Sequence, residues 1–236
     1  MKKTENQIKK ELSEEYWGEQ ASKYDLNRVE DPRNAAVVKI QEDITKSFLN
    51  EPYKNILDIA CGTGRFFKLY HGKIYGIDIS EDMLKEAKKR KGNLILKKAD
   101  GENIPYKNDF FDVSITSQFI KHTPFYQNVI KEMARVTKKG GAIIIDFPNR
   151  YSITYPITKI RIKLGKLRHY NFFSFNDIKD IAAKNNLKIE RIEPTVAISL
   201  KFSPKFMLNF SIGLNKIITK FFPHLTYVYY VKFRKK

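Results

Sequence analysis

The chain begins with polar segments whose apolar residues recur at helical spacing, and it continues with short apolar runs separated by turns. Residues 5–22 and 33–50 have the helical pattern and predict two amphipathic helices. After them the pattern changes to short apolar runs bounded by glycine and polar residues, which is typical of buried strands. We predict these strands over residues 55–60, 73–79, 94–96, 111–116, 142–146, 187–192 and 226–233.

Helix signals lie between several of these runs. Ser80 is a favourable N-cap, and Thr123-Pro124 predicts a helix that continues to about residue 137. Ser174 and Asp177 have the spacing of a capping box, which predicts a helix to about residue 185. Strands that are apolar on both faces and alternate with helices indicate a parallel sheet covered by helices. The predicted fold class is therefore α/β and doubly wound.

Composition narrows the class of protein further. The chain has 236 residues, enough for one large domain, and a single cysteine, Cys61, which excludes a disulfide framework and a cysteine-based zinc site. The first residues lack the apolar segment of a secretion signal, and no apolar run is long enough for a membrane span. We therefore expect a cytoplasmic protein, with peripheral contact at a membrane as a further possibility, and we expect no metal site.

The net charge of +18 is unevenly distributed. Residues 1–150 contain 27 basic and 22 acidic side chains, whereas residues 151–236 contain 17 basic and 4 acidic ones. Such an excess indicates a polyanionic partner, either nucleic acid or a membrane surface, or else a general richness in lysine.

Acidic residues and glycines follow three consecutive predicted strands. Asp58 ends the first strand and is followed by Gly62 and Gly64, in a spacing that fits neither dinucleotide-binding nor phosphate-binding loops. Asp78 ends the second strand, where a carboxylate accepts hydrogen bonds from ribose hydroxyls in dinucleotide folds, and Asp100 follows the third. Open α/β sheets bind ligands at the carboxyl ends of their strands, so the three motifs predict one site.

The segments LDIACGTGRF, YGIDIS, ADGENIPYKNDFFDVSITS and RVTKKGGAIIIDFPN resemble the successive motifs of class I S-adenosylmethionine-dependent methyltransferases. The match is best to the small-molecule group that includes the quinone-biosynthesis methyltransferases. It runs from about Tyr16 to Pro148 and resumes with FFSFNDIKDIAAKNNLKIE. The resemblance implies a Rossmann-like seven-stranded sheet with an antiparallel last strand, S-adenosylmethionine as cofactor and S-adenosylhomocysteine as product.

The resemblance also implies roles for particular residues. Asp58, Ala60, Gly62 and Gly64 would lie along the methionine moiety, Asp78 would bind the ribose, and Asp100, Gly101 and Glu102 would bind the adenine. The remaining cofactor contacts predicted are Cys61, Ile79, Ser117, Gln118, Trp17 and Tyr24, of which Trp17 and Tyr24 belong to a lid. Glycine often replaces Ala60 in the family, and we expect alanine to narrow the turn only mildly.

The acceptor side is less defined. His122 is a candidate to position an acceptor or to take its proton, or it is a histidine bonded to nearby backbone, and His169 and Tyr170 are candidate substrate contacts. We divide the single domain into lid helices (1–50), a cofactor-binding core (51–149), an inserted basic cap over the acceptor site (150–172) and a C-terminal part (173–236).

Two variable segments leave alternatives open. Residues 159–168 alternate basic with apolar residues, as in an amphipathic cap or in a solvated helix packed on the sheet edge. Residues 196–222 are strongly apolar and fit a membrane-facing surface, a tunnel for a lipid substrate, or ordinary cover for the last strands.

We accordingly predict methyl transfer to a small-molecule acceptor that is apolar or lipid-like. An RNA methyltransferase that uses the basic C-terminal third is one alternative, although the Ser117-Gln118-Phe119 segment lacks the Asn/Asp-Pro-Pro-Tyr-like motif of enzymes that act on a flipped base. A non-catalytic cofactor-binding protein is the other alternative.

Overall fold

The computed structural model describes residues 5–165, 170–197, 200 and 203–236, with the backbone alone for residues 5–13, 27 and 29. The helices are α1 (Glu5–Tyr24), α2 (Leu26–Val29), α3 (Pro32–Phe48), α4 (Glu81–Ala87), α5 (Tyr126–Val136), α6 (Tyr155–Lys163), α7 (Phe175–Lys184) and α8 (Leu208–Phe221). The strands are β1 (Asn55–Ile59), β2 (Lys73–Asp78), β3 (Asn93–Lys98), β4 (Phe111–Thr116), β5 (Thr137–Pro148), β6 (Leu187–Pro194) and β7 (Val228–Lys235).

The strands form one seven-stranded sheet in the order β3-β2-β1-β4-β5-β7-β6. The pairs from β3 to β5 are parallel, whereas β7 lies between β5 and β6 and is antiparallel to both. This arrangement confirms the predicted doubly wound α/β fold with an antiparallel last strand. The carboxyl ends of β1, β2, β3 and β4 consequently share one edge.

Apolar side chains cover both faces of the sheet. One core cluster contains Leu57, Ile59, Ile143 and Ile145, and the other contains Ile56, Ile144 and the aromatic residues around the β1 loop. Neighbouring residues of one strand thus belong to opposite clusters, because successive side chains of a strand alternate between faces. This two-sided burial explains the unbroken apolar runs of the sequence.

Several element boundaries differ from those predicted. Helix α5 begins at Tyr126, not at Thr123-Pro124, because the Thr123 hydroxyl accepts a hydrogen bond from the Phe125 backbone N–H (3.1 Å) and forms a separate turn. Strand β5 begins at Thr137 and includes the Gly140-Gly141 pair that the sequence predicts as a turn, since Thr137 already pairs with Phe111 of β4. The basic insertion after β5 contains helix α6.

Among the described residues, no helix is long and apolar enough to cross a membrane.

The capping box of α7 is formed as the sequence predicts. The Ser174 hydroxyl accepts a hydrogen bond from the Asp177 N–H (3.1 Å), and the Asp177 carboxylate accepts one from the Ser174 N–H (2.7 Å). The two bonds satisfy backbone donors that the helix cannot satisfy within itself.

Substitution Ser174→Ala is expected to lower the free energy of unfolding by about 1 kcal/mol, because the Asp177 N–H loses its acceptor. Urea denaturation measures the change. Ser47→Ala, inside helix α3, is the matched control and is expected to change stability by less than about 0.5 kcal/mol. An equal loss in both variants would contradict the assigned role of the cap.

Candidate active site

The loop after β1 has an unusual backbone. Ala60, Gly62 and Gly64 have φ angles of 54°, 55° and 68°, in the left-handed region that favours glycine. A Cβ on Gly64 would lie 2.6 Å from the Phe67 ring, so glycine is needed there for space as well. Ala60 adopts this conformation with a Cβ, which strains its backbone at a cost of about 1–2 kcal/mol. The expectation that alanine only mildly narrows the turn stays a prediction.

Asp58, at the end of β1, is a buried carboxyl group. Its side chain is 4% exposed and accepts a hydrogen bond from the Tyr70 hydroxyl (2.7 Å). Burial raises the pKa of Asp58 to about 7, and the negative charge of Asp78 acts in the same direction. Near neutral pH, Asp58 therefore exchanges between a neutral and an ionised form.

Asp78, at the end of β2, connects two loops. Its carboxylate accepts hydrogen bonds from the Gly62 N–H (2.8 Å), in the loop after β1, and from the Ser80 N–H (2.9 Å), at the N-cap of α4. Burial raises the pKa of Asp78, whereas the bonds from Ser80 and Gly62 oppose the rise. The half-buried Ile79 lies between Asp78 and that N-cap.

The turn after β3 packs against the end of β1. The Asp100 carboxylate accepts a hydrogen bond from the Glu102 N–H (2.9 Å), and the Glu102 carboxylate accepts one from the Asn128 side-chain amide (2.8 Å). Gly101 is buried, and a Cβ on it would lie 3.0 Å from the Cγ2 of Ile59. Glycine thus allows this turn to approach β1 closely.

The segment after β4 is held by a buried carboxylate that the sequence analysis did not single out. The Gln118 backbone N–H and side-chain amide both donate to Asp146 of β5 (2.7 Å each). Lys121, itself buried, donates to the Gln118 side-chain oxygen, and Ser117 shares a hydrogen bond with the Tyr230 hydroxyl (2.9 Å). Asp146 ends an apolar strand as Asp58 and Asp78 do, and that common position is the signal that could have identified it.

Burial raises the pKa of Asp146, and the positive charge of Lys121 opposes the rise. Gln118 has a φ angle of 64°, so this network fixes a residue with a strained backbone.

Aromatic side chains from α1 and from the insertion meet above the segment that follows β4. The Trp17 ring lies 5.8 Å from His122 and 6.1 Å from Tyr24, and His122 lies 5.6 Å from Tyr170, measured between ring centroids. The hydroxyl of Tyr170 also hydrogen-bonds with that of Tyr227. The predicted lid and acceptor residues Trp17, His122 and Tyr170 therefore lie together, whereas His169 lies outside the described residues.

The residue that follows α1, Asp25, is attached to the loop after β1. The Thr63 hydroxyl donates to the Asp25 carboxylate (2.9 Å), which is also paired with Arg90. The pocket beneath is lined by Tyr24, Asp58, Ala60, Cys61, Gly62, Thr63, Arg65, Phe66, Ser117 and Gln118. Thr63, Arg65 and Phe66 are additions to the residues that the sequence singled out.

Cys61 lines this pocket as a protonated thiol, because burial and the nearby carboxylates of Asp78 and Asp58 raise its pKa well above the usual range. Among the described residues, no group of three or more His, Cys, Asp or Glu side chains could hold a metal ion.

The residues of this edge fit S-adenosylmethionine chemically. The amino-acid end of this cofactor carries an ammonium and a carboxylate group, and Asp58, Ala60 and Gly62 line the pocket that would receive it. A Cβ on Gly62 would meet nothing closer than the Met83 sulfur at 3.9 Å, so the loop is open on this side. Asp78 and Asp100 would hold the ribose and the adenine.

A doubly wound sheet with acidic residues at the ends of its first strands is typical of proteins that bind nucleotide-like cofactors at that edge. Residues 57–145 match the methyltransferase domain family, Methyltransf_11. A demethylmenaquinone methyltransferase of Staphylococcus haemolyticus is 32% identical over 151 residues, which cover 60% of this chain and 62% of that protein. An uncharacterized protein of Methanocaldococcus jannaschii is 34% identical over 134 residues, 55% of this chain and 64% of that protein. The chain thus spans less than two thirds of the length of these relatives.

A solved structure of a SAM-dependent methyltransferase from Thermotoga maritima, described as a possible histamine N-methyltransferase, has a TM-score of 0.71 at 19% identity and covers 94% of this chain and 99% of its own. That likeness shows the fold. Together the comparisons confirm the resemblance to class I S-adenosylmethionine-dependent methyltransferases, with S-adenosylmethionine as the cofactor of the family.

Substitution Asp58→Asn is expected to stabilise the chain at alkaline pH. The folded-state pKa of about 7 exceeds the usual 3.8. The protonated Asp58 therefore contributes its full stability below about pH 4, and this contribution is lost as pH rises towards 7. Asparagine lacks the buried charge and still accepts from Tyr70. We expect a gain on the order of 2–4 kcal/mol at pH 8 and a much smaller gain at pH 5.

Urea denaturation at both pH values measures this effect. The control is Asp180→Asn, at an exposed position of α7, which is expected to change stability by less than about 0.5 kcal/mol. A variant that is less stable than the parent chain at pH 8 would contradict the raised pKa.

Proposed function

We propose that this protein is an S-adenosylmethionine-dependent methyltransferase that acts on a small-molecule acceptor of apolar or lipid-like character. The observation that carries the proposal is the pair of buried carboxylates, Asp58 and Asp78, beside the left-handed glycine loop at the carboxyl edge of the sheet. Burying such groups costs stability, so an arrangement that retains them supports a ligand with matching donors.

When bound, the cofactor supplies a methyl group on a positively charged sulfur, which is a good leaving group by itself. The chain's own contribution is then mainly to hold the acceptor in line, through proximity and orientation. Trp17 and Tyr24 of α1 cover this edge and would exclude water, and their ring faces favour a nearby cation by about 0.5–2 kcal/mol. Ser117 and Gln118, fixed by Tyr230 and Asp146, would border the acceptor.

His122 is the residue proposed to handle a proton. It lies between Trp17 and Tyr170, in the aromatic group at the acceptor side. A hydroxyl acceptor needs a base near its proton, and a histidine is suited to that task near neutral pH. An amine or a thiolate acceptor would need His122 only for positioning.

We keep the predicted division of the chain into lid helices, cofactor-binding core, cap and C-terminal part as a component of this proposal. The aromatic contacts of Trp17 and Tyr170 support a lid from residues 1–50 and a cap from residues 150–172, with His169 in the cap as a further candidate. A cytoplasmic location stays a prediction. RNA is the less favoured acceptor, because the Ser117-Gln118-Phe119 segment lacks the motif of enzymes that act on a flipped base.

Titration calorimetry with S-adenosylmethionine tests the binding step. We expect binding, and a loss of affinity of about 10- to 100-fold in Asp78→Asn, since a charged acceptor is removed from a buried site. The control is Asp82→Asn, four residues along the chain on the exposed side of α4, with unchanged affinity expected. A thermal melt establishes that both variants are folded.

Absence of binding at millimolar cofactor would overturn the proposal. Binding without transfer of a labelled methyl group to any organic-soluble extract would instead favour a non-catalytic cofactor-binding protein. Binding of labelled RNA with an affinity that falls steeply as the salt concentration rises would favour the RNA methyltransferase alternative.

Substitution His122→Asn tests the acceptor side. If His122 is the base for a hydroxyl acceptor, the rate of transfer is expected to fall by about 100-fold or more and to lose its acidic pH limb. Cofactor affinity should stay within about twofold of the parent chain, because the proposal places His122 on the acceptor side of the site. An unchanged kcat with a raised KM would assign His122 to positioning.

A further inference from the structure

Helix α8 presents an apolar stripe to solvent. Phe210, Leu214, Ile217 and Phe221 are 65%, 38%, 57% and 66% exposed, and their spacing of three or four residues places them on one face. The buried residue of this helix is polar, since Asn215 accepts from the Ala197 N–H (2.9 Å). The face that packs inward carries Asn215 together with the half-buried Leu208, Ile212 and Ile218, so cover for the last strands does not account for the outward stripe.

Helix α6 and the residues before it present a second stripe. Ile153, Ile157, Ile160 and Leu164 are 47–62% exposed. The spacing of Ile157, Ile160 and Leu164 places these three on one face of the helix, and Ile153 lies in the turn before it. The start of the second stripe adjoins the end of the first through the short 3-10 helix Pro223–Leu225, which follows α8 and the exposed Phe222.

This junction is fixed by hydrogen bonds. The Leu225 carbonyl accepts from the Ile153 N–H (3.4 Å), and the His224 carbonyl accepts from the Asn149 side chain (2.7 Å). We call the combined surface the apolar face; its members are Ile153, Ile157, Ile160, Leu164, Phe206, Phe210, Leu214, Ile217, Phe221 and Phe222.

The charges around the apolar face have one sign. Residues 147–176 and 194–236 contain no aspartate or glutamate. The exposed basic residues of the two helices and their flanks are Lys159, Arg161, Lys163, Lys205, Lys216 and Lys220. Asp31, near Lys205, is already paired with Arg33, whose hydrogen bonds hold the pKa of that carboxyl well below its usual range.

We propose that the apolar face docks the protein on the surface of an anionic lipid bilayer. Exposed aromatic and branched side chains bordered by lysine and arginine match the boundary between acyl chains and negatively charged headgroups. A second copy of the chain would bring the same positive charges together, which disfavours a symmetric dimer through this face. A nucleic acid would leave the apolar stripe without a partner.

The apolar face is connected to the aromatic group at the candidate acceptor site. Tyr227 follows Leu225, which bonds to Ile153, by two residues, and its hydroxyl hydrogen-bonds with that of Tyr170, whose ring contacts His122. Burial raises the pKa of Tyr227, and the positive charge of Arg161 in α6 opposes the rise. An acceptor dissolved in the bilayer would therefore approach the site from the docked side. This last step rests on the proposed function, whereas docking itself does not.

Flotation with vesicles tests the docking without any cofactor. We expect binding to vesicles of equal parts phosphatidylcholine and phosphatidylglycerol, at least tenfold weaker binding to phosphatidylcholine alone, and release as salt shortens the Debye length below about 10 Å. Lys216→Glu/Lys220→Glu is expected to weaken binding by about 30-fold or more. Phe210→Ser/Phe221→Ser is expected to weaken it by about tenfold or more.

The matched controls lie at the opposite edge of the sheet, near β3. Lys88→Glu/Lys91→Glu changes the net charge by the same amount, and Ile95→Thr removes an apolar side chain that is 36% exposed. Both are expected to bind like the parent chain. Equal losses of binding in the controls, or no binding of the parent chain to the anionic vesicles, would overturn the proposal. It would also be overturned if the parent chain formed a dimer in solution that the substitution Phe210→Ser/Phe221→Ser dissociates. Binding of S-adenosylmethionine by the same variants, measured by titration calorimetry, tests the proposed function separately.

Discussion

The candidate site depends on one buried carboxylate that joins two loops. Asp78 receives backbone hydrogen bonds from Gly62 and Ser80, so the loop after β1 and the beginning of α4 keep a fixed relation at the edge of the sheet. The same carboxylate lies near Asp58 and helps to raise its pKa. The Asp78 side chain thus both holds the loop after β1 in place and helps to raise the pKa of Asp58. Such sites are built against stability, because burial raises the pKa of both carboxyl groups and disfavours their charged forms.

Local patterns in the sequence were enough to predict much of this arrangement. Asp58 and Asp78 lie at the ends of strands and Ser174 lies at the start of a helix, so their positions follow from apolar runs and capping signals. The start of β5 was mispredicted because Gly140-Gly141 is typical of a turn, whereas pairing with β4 overrides that local preference.

The contacts that the sequence did not predict join distant parts of the chain. Gln118 and Asp146 are 28 residues apart, and Ser117 and Tyr230 are 113 apart, so no local pattern pairs them. Lys232 shows the same limit: it is 3% exposed and is neutralised by Glu51, from before β1, and by Glu190 of β6. Burial of this lysine is acceptable only because the sheet brings both carboxylates to it. The outward direction of the α8 stripe likewise depends on tertiary packing, since an amphipathic pattern does not say which face is buried.

The position of β7 has a consequence for the order in which the chain folds during synthesis. β7 lies between β5 and β6, so both of these strands leave the ribosome before the strand that joins them exists. Until residues 228–235 are made, β6 has no partner in the sheet and β5 presents an open edge. A nascent chain therefore has a waiting period in which an apolar strand edge is exposed, and the parallel half from β3 to β5 has to be stable enough to persist through it.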